Sequence, residues 1–332
     1  MILSLAPMEG VTGYAFRKAH AECFGDLDRY YTPFLVPPRL DLPFANRYAK
    51  ELCQEGDEAL EVVPQLLTKN ADEFVWATQL LSEMGYAEVN FNVGCPSGTV
   101  ANKGRGAGFL RDLASLEAFL QDVCVRAALP VSVKTRIGFA NDNEFEEILE
   151  TYCRCPIAEL IVHPRVRADF YDGTPRRKAY GEALAKAPFP VAYNGDIFSA
   201  ADVESLVAAY PETRHVMLGR GVVGNPALPR MIKGGPAATV DELERFHDVL
   251  FHTYEERIGG NAVFRMKEWW SYAKELFVSP ISVQRAVRKL KRVDEYEAAV
   301  SKIFRTEELV ANGIGWQDAG AGRVGEAADT LR

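Results

Sequence analysis

Short apolar runs rich in β-branched residues recur along the first two thirds of the chain, near Ile2–Ala6, Arg29–Val36, Glu61–Leu67, Tyr86–Asn92, Pro130–Thr135, Ala158–His163, Pro190–Asn194 and Arg214–Leu218. Amphipathic stretches lie between several of them. Ala71–Met84 puts Phe74, Val75, Thr78 and Leu81 on one stripe, and Ser115–Ala127 does the same with Leu116, Phe119, Leu120 and Val123. Spacings of three and four predict helices at these places. Near-continuous apolar strands separated by helices predict a parallel sheet covered on both faces, and eight such units within roughly 230 residues fit a closed (β/α)8 TIM barrel of the α/β class better than an open doubly wound sheet. The second helix is the faintest of the set, because Pro33, Pro37, Pro38 and Pro43 punctuate that stretch.

After Leu218 the pattern changes. Lys233-Gly234-Gly235-Pro236-Ala237-Ala238 reads as a linker, since two glycines and a proline end any helix before them. From Val240 to Arg305 only helical stripes remain: Leu243, Phe246, Leu250 and Tyr254; Phe264, Met266, Trp269, Trp270, Ala273 and Phe277; then Ile281–Val293 and Tyr296–Phe304. The reading is a catalytic barrel over residues 1–235, a small C-terminal helical bundle over 236–310 and a flexible tail over 311–332.

Composition narrows the setting. The 332 residues are 48% hydrophobic and 25% charged, which is a globular composition. No apolar run approaches the ~18 to 20 residues that span a bilayer, and the start lacks the form of a signal peptide, so a cytoplasmic protein without membrane attachment, and a monomer, is expected. Lys plus Arg is 38 against 46 for Asp plus Glu, a formal charge of −8. Any polyanionic partner must therefore meet a local basic patch. Two runs offer one: Arg285, Arg288, Lys289, Lys291 and Arg292, and Arg165, Arg167, Arg176, Arg177 and Lys178. The six cysteines, without an export signal, read as reduced thiols.

In such a barrel the chemistry sits at the carboxyl ends of the strands. Polar residues interrupt the apolar runs there: Pro7-Met8-Glu9-Gly10, Gln65, Asn90 and Asn92 before Gly94-Cys95-Pro96, Lys134 and Arg136, His163 and Arg165, Asn194-Gly195-Asp196, and Gly219-Arg220-Gly221. Each buried polar group left unpaired costs ~1–3 kcal/mol, so a purely structural barrel has no use for all of them at one end. Gly219-Arg220-Gly221-Val222-Val223-Gly224 matches G-x-G-x-x-G, but a dinucleotide fold places that fingerprint at its first strand. Glycines after the last barrel strands instead suit a phosphate site, which points to a phosphate-bearing cofactor. The inventory suits flavin: Lys134 can set positive charge beside the N1/O2 edge of an isoalloxazine, Gln65 can hydrogen-bond its pyrimidine edge, and Arg220 can hold the phosphate. Cys95, in a loop followed by the glycine-rich and so movable Lys103–Gly108, has a thiol mostly protonated at neutral pH and suited to act as a general acid. Cys23, Cys53 and Cys124 read as inert core thiols. Cys153-x-Cys155, a lone pair, gives no metal site, and His247 and His252 read as ordinary bundle residues.

Taken together, Leu5–Thr12, the Asn90–Leu110 cysteine loop, Val133–Gly138, His163 with Arg165, Asn194-Gly195-Asp196-Ile197 and Gly219-Arg220-Gly221 resemble the tRNA-dihydrouridine synthases over residues 1–305. The resemblance implies an FMN-binding barrel followed by a helical tRNA-binding domain. NADPH would reduce FMN, hydride would pass to C6 of a uracil in tRNA, and Cys95 would protonate C5. Carried onto this chain, Pro7, Met8, Glu9, Gln65, Lys134, His163, Asn194, Gly195, Asp196, Gly219 and Arg220 would contact the cofactor. Asn92, Arg136, Arg165, Arg265 and Lys267 would contact the tRNA. Val36-Pro37-Pro38 stands where some members place an arginine after the second strand. Two other readings remain beside this one. A small-molecule flavin reductase of the dihydroorotate dehydrogenase or old yellow enzyme type leaves the bundle without a purpose, and a non-catalytic tRNA-binding scaffold has no need of Cys95 and Lys134.

Overall fold

The computed structural model describes residues 1–52 and 60–311, so Cys53 and the tail from residue 312 lie outside the described residues. Nine parallel strands form one sheet: β1 Ile2–Leu5, β2 Arg29–Tyr31, β3 Val62–Val63, β4 Gln65–Leu66, β5 Val89–Val93, β6 Val131–Arg136, β7 Leu160–His163, β8 Val191–Asn194 and β9 His215–Leu218. Their order is β3-β2-β1-β9-β8-β7-β6-β5-β4. The two ends of that order are adjacent in sequence, because the third expected strand is split at Pro64. Proline has no N–H to give to a ladder. Val62–Val63 therefore pairs back to β2 and Gln65–Leu66 forward to β5, while the Pro64 carbonyl accepts from Asn90 N at 2.9 Å. The bridge between Leu35 and Leu66 completes the ring, so the nine short strands are an eight-fold barrel.

The expected helices form where their stripes place them. Ala71–Glu83 starts on Asn70, whose side chain accepts from Glu73 N, and Leu113–Arg126 starts on Asp112, which accepts from Ser115 N. Their stripes meet β5 through a cluster in which Phe91 stacks on Phe119 at 4.7 Å and Phe74 meets Phe91 edge-on. Where proline crowds the second unit, the described helix is the single turn Asn46–Ala49. The barrel interior holds a small apolar cluster of Ala6, Tyr31, Val63, Ile161, Ala192 and Met217. Below it, at the amino ends of the strands, lies a buried polar line. Ser4 Oγ is 2.6 Å from His215 Nε2, and His215 Nδ1 is 2.9 Å from Glu159 Oε1.

Beyond the barrel, Thr239 and Glu242 cap the helix Val240–Ile258 reciprocally, and Arg230 ties the linker down through Glu242 and the carbonyls of Pro236 and Ala237. Ala262–Ala273, Pro280–Val287 and Val293–Thr306 follow. These helices share the barrel's outer core, with Phe246 edge-on to Phe16 at 5.6 Å. His247 sits at the centre of their aromatic cluster, bonded to Tyr296 Oη at 2.8 Å, and Trp270 Nε1 donates to the same oxygen. Two expected stripe members face outward instead: Phe264 is 50% exposed and Ile281 68%. Phe264 is out of step with Met266, Trp269, Trp270 and Ala273, which already fill the buried face of a 3.6-residue helix. Among the described residues no helix is long and apolar enough to cross a membrane.

Candidate active site

Strand β5 runs straight into the cysteine loop. Asn92 turns the chain there: its Oδ1 accepts from Gly94 N at 3.0 Å and Cys95 N at 2.9 Å. The glycines that follow pack closely against that turn. Ala107 N bonds Cys95 O, Gly106 takes φ +53°, and a Cβ on Gly106 would lie 2.9 Å from Cys95 Cβ. A Cβ on Gly108 would meet Ala101 O at 2.1 Å. These glycines let a buried 3-10 turn, Gly106–Arg111, close tightly against the thiol. Burial pushes the Cys95 thiol above its ordinary range, while a Ser97 backbone hydrogen bond and the charges of Arg136 and Lys134 oppose that rise. The thiol holds its proton at neutral pH.

Lys134 stands beside it. In the ladder it lies opposite Asn92, one strand over, and the Lys134 carbonyl is 3.5 Å from where a Gly94 Cβ would sit. Burial, with Arg136 adding to it, brings its ammonium down to about 7. It has no hydrogen bond or ion pair among the described residues, an unusual state for a lysine at this depth. Arg136, by contrast, is committed. Its guanidinium donates to the carbonyls of Gly94 at 2.9 Å, Val166 at 2.8 Å and Phe170 at 2.6 Å.

Around β7 to β9 the mouth is an ion cluster. Arg165 donates to both oxygens of Asp196, at 2.9 and 2.5 Å, and to the carbonyls of Asp172 and Gly173; Arg220 donates to Asp196 Oδ1 at 2.5 Å. Burial raises the Asp196 carboxyl, but the two arginines outweigh it and hold it below its ordinary value. Arg165 is 1% exposed, so in this arrangement it braces the loop after β7 and does not face a substrate. Its Nη1 lies 3.3 Å from His163 Nε2, and as that nitrogen must accept, the proton is on Nδ1. Burial and four surrounding cations keep His163 neutral. Asn194 Nδ2 donates to Met217 O, and Gly219 lies where a Cβ would be 3.7 Å from Met8 Sδ, which brings the first and last strand tips together. Gly221 is needed for packing, since a Cβ there would meet Ile197 O at 2.0 Å.

The structure thus gathers the strand-tip residues at one mouth, though in different states. Gln65 is fully buried with both amide ends bonded, to Asn90 at 2.7 Å and Asn92 at 2.6 Å. Pro7 and Met8 are partly open, and Gly195 is buried. Glu9 lies within electrostatic reach of Cys95, Arg47, Glu51 and Arg265. Arg265 reaches in from the helical region: its Nη1 contacts Gly10 O at 3.4 Å and Glu268 at 3.1 Å. Lys267 is close enough to Lys291 for each to repel the other's charge. Arg285, Arg288, Lys289, Lys291 and Arg292 are exposed, and of these only Arg292 has an acidic partner among the described residues. The second basic run is partly neutralised: Arg165 is buried, Arg176 pairs with Asp169 and Asp142, and Lys178 with Glu182, while Arg167 and Arg177 have no acidic partner among the described residues. The sequence reading missed Tyr171. Its ring lies 5.5 Å from the Arg136 guanidinium and 5.2 Å from that of Arg220, and it is 43% exposed. The signal available was an aromatic pair in the polar loop that follows a barrel strand.

A parallel eight-fold barrel with a protonated thiol, an unpaired cation and a neutral imidazole at its carboxyl mouth has the layout of a TIM-barrel enzyme. Residues 4–303 match the family model described as dihydrouridine synthase (Dus), and the chain belongs to that family. A protein of Haemophilus ducreyi named tRNA-dihydrouridine(16) synthase is 28% identical over 92% of this chain and 96% of its own length. The Escherichia coli K12 protein of the same name is 29% identical over 91% of this chain and 98% of its own. An old yellow enzyme homologue from Zymomonas mobilis superposes with a TM-score of 0.51 at 13% identity, over 74% of this chain and 91% of that one, and shares the barrel fold.

Proposed function

We propose that this protein reduces the C5=C6 bond of a uridine in tRNA, using FMN and NADPH, with Cys95 delivering the proton to C5. The observation that carries the reading is the pairing of a protonated thiol with an unpaired, half-buried lysine on neighbouring strand tips of one mouth. FMN fits this donor set. Lys134 is a cation without a counter-ion, Arg220 and the Gly219 turn supply phosphate donors beside Met8, and the buried polar floor under them is already satisfied. The flavin, when bound and reduced, supplies a hydride equivalent. Lys134 and Arg220 would hold it, with Pro7, Met8, Glu9, His163, Asn194, Gly195 and Asp196 lining its place, and Gln65 fixing the floor.

This chain's own residues do the rest. A base stacked in tRNA cannot reach the mouth, so it is extruded at a cost of a few kcal/mol, which contacts along the RNA backbone offset. Asn92, through its grip on Gly94 and Cys95, sets where Sγ points. The raised thiol keeps its proton until C5 becomes basic, which is what general acid catalysis needs. Arg136 and Arg165 hold the loop that carries Tyr171 beside that point. Arg265, Lys267 and the exposed cations of 285–291 meet the phosphates. The names of the relatives support position 16 as the target nucleotide, and a cytoplasmic monomer as the acting form agrees with a tRNA substrate.

The test is direct. The purified protein should be yellow, and should oxidise NADPH when given tRNA lacking dihydrouridine, with the modified nucleoside appearing by mass spectrometry. Protein that takes up no FMN overturns the reading. Turnover of free pyrimidines but not tRNA favours a small-molecule reductase.

A further inference from the structure

Beneath the thiol loop a single file of hydrogen bonds crosses three strands. Cys95 N and Gly94 N donate to Asn92 Oδ1; Asn92 Nδ2 donates to Gln65 Oε1 at 2.6 Å; Gln65 Nε2 donates to Asn90 Oδ1 at 2.7 Å; Asn90 Nδ2 donates to Ser132 Oγ at 2.9 Å; and Ser132 Oγ donates to Glu88 Oε1 at 2.5 Å. Ladder register explains the file. Gln65, Asn90 and Ser132 are direct partners on β4, β5 and β6; Asn90 and Asn92 share one face of β5, and Glu88 lies just before that strand, two residues ahead of Asn90.

The sense of donation is forced throughout. A backbone N–H can only donate, so the Asn92 atom that accepts two of them is oxygen, and its nitrogen must point at Gln65. That fixes the Gln65 amide, which fixes the Asn90 amide, which leaves Ser132 to give its one hydrogen to a carboxylate. Turning any amide in the file over would set two donors or two acceptors against each other in a site from which water is excluded. Glu88, the end of the file, also lies 3.4 Å from Arg29 Nη1.

We propose that Ser132, Asn90 and Glu88 are positioning residues for proton delivery, acting through Gln65 and Asn92 to hold the Cys95 backbone and so aim its thiol. The proposal rests on the reading that Cys95 is the proton donor. Removing the Ser132 hydroxyl leaves Asn90 Nδ2 without its acceptor, so the Asn90 amide shifts toward another partner and draws Gln65 and Asn92 with it, while the sense of donation set by the backbone N–H groups is kept. The acceptor of the Cys95 N–H is thereby displaced, and Sγ moves relative to Arg136 and Lys134. None of these three residues has to touch substrate or cofactor for this to happen.

The experiment compares the parent holoenzyme with Ser132→Ala, Ser132→Thr and Glu88→Gln. Two readings are taken on each: the pH dependence of Cys95 alkylation by iodoacetamide, followed by peptide mass spectrometry, and the rates of flavin reduction by NADPH and of dihydrouridine formation, measured separately. Ser132→Ala should shift the alkylation profile and lower kcat for dihydrouridine about tenfold, while flavin reduction and KM for tRNA stay within about twofold. Ser132→Thr, which keeps the hydroxyl, should restore both, and Glu88→Gln, which keeps an acceptor, should show a smaller shift of the same kind. An unchanged alkylation profile in Ser132→Ala overturns the proposal, as does an equal fall in both half-reactions. Should Ser132→Ala not fold, Glu88→Gln decides by the same two readings. If the parent makes no dihydrouridine yet the alkylation profile still shifts, the positioning role stands and the assigned reaction falls.

Discussion

Around β7 to β9 the cations at the mouth meet a carboxylate, with Arg165 and Arg220 sharing Asp196, whereas at β5 and β6 Lys134 stands next to a protonated thiol with no carboxylate in ion-pair reach among the described residues. The two halves are built of similar residues at equivalent strand tips. In the first, two guanidiniums share one carboxylate and brace a loop. In the second, burial keeps the thiol protonated and brings the lysine ammonium down to about 7, so that its protonation can change near neutral pH. A half-buried cation without a partner is unfavourable to the fold on its own account, so that half of the mouth is shaped for something that is brought to it.

The largest expected effect falls on the half with open groups. Cys95→Ala should lower dihydrouridine formation by ~10²–10⁴-fold, the usual contribution of a positioned acid, while leaving flavin content and reduction by NADPH intact. Equal loss of flavin reduction would give the thiol another role and erase the contrast between the halves. The braced half should respond in stability instead. Asp196→Asn leaves a buried guanidinium uncompensated and should cost about 3 kcal/mol, read by denaturant unfolding. Because the Asp196 carboxyl is held below its ordinary value, this contribution is present above about pH 4 and is lost as acid protonates the folded protein. If Asp196→Asn unfolds at the parent's midpoint, the ion cluster is not the brace described.

A smaller effect sharpens the helical side of the mouth. Arg265→Ala with Lys267→Ala should weaken tRNA binding and reduce the slope of log affinity against log salt by about 1 for each phosphate no longer neutralised, with FMN content unchanged. An unchanged slope would remove these residues from the RNA interface. The smallest concerns Lys134. Its ammonium lies at about 7 in the fold against 10.5 ordinarily, so between those values the unfolded chain keeps a proton the folded one has released. Stability should therefore rise with pH across that window, and Lys134→Met should flatten the rise in melting temperature of the flavin-free protein.

Much of this was legible in the sequence, for local reasons. Eight apolar runs with helices between them specify the barrel, and N-x-N before G-C-P or K-x-R at a strand end stand out because polar residues interrupt an apolar pattern. The split of the third strand was not visible as a split: Pro64 showed, but which neighbour each fragment pairs with depends on closure of the whole ring. Arg165 and Asp196 lie 31 positions apart, and no local pattern says that they neutralise each other. The glycines after Cys95 were plain, but their purpose, close approach to Cys95 Cβ and Ala101 O, is a property of the folded turn.

At the opposite end of the barrel, Ser4, His215 and Glu159 have the spacings of a hydrolase's charge line, with hydroxyl to imidazole at 2.6 Å and imidazole to carboxylate at 2.9 Å. Ser4 has no exposure at all. No electrophile can come up to its oxygen, so the line acts as a rivet between first strand and last. A fluorophosphonate reagent for reactive serines should pass this protein by.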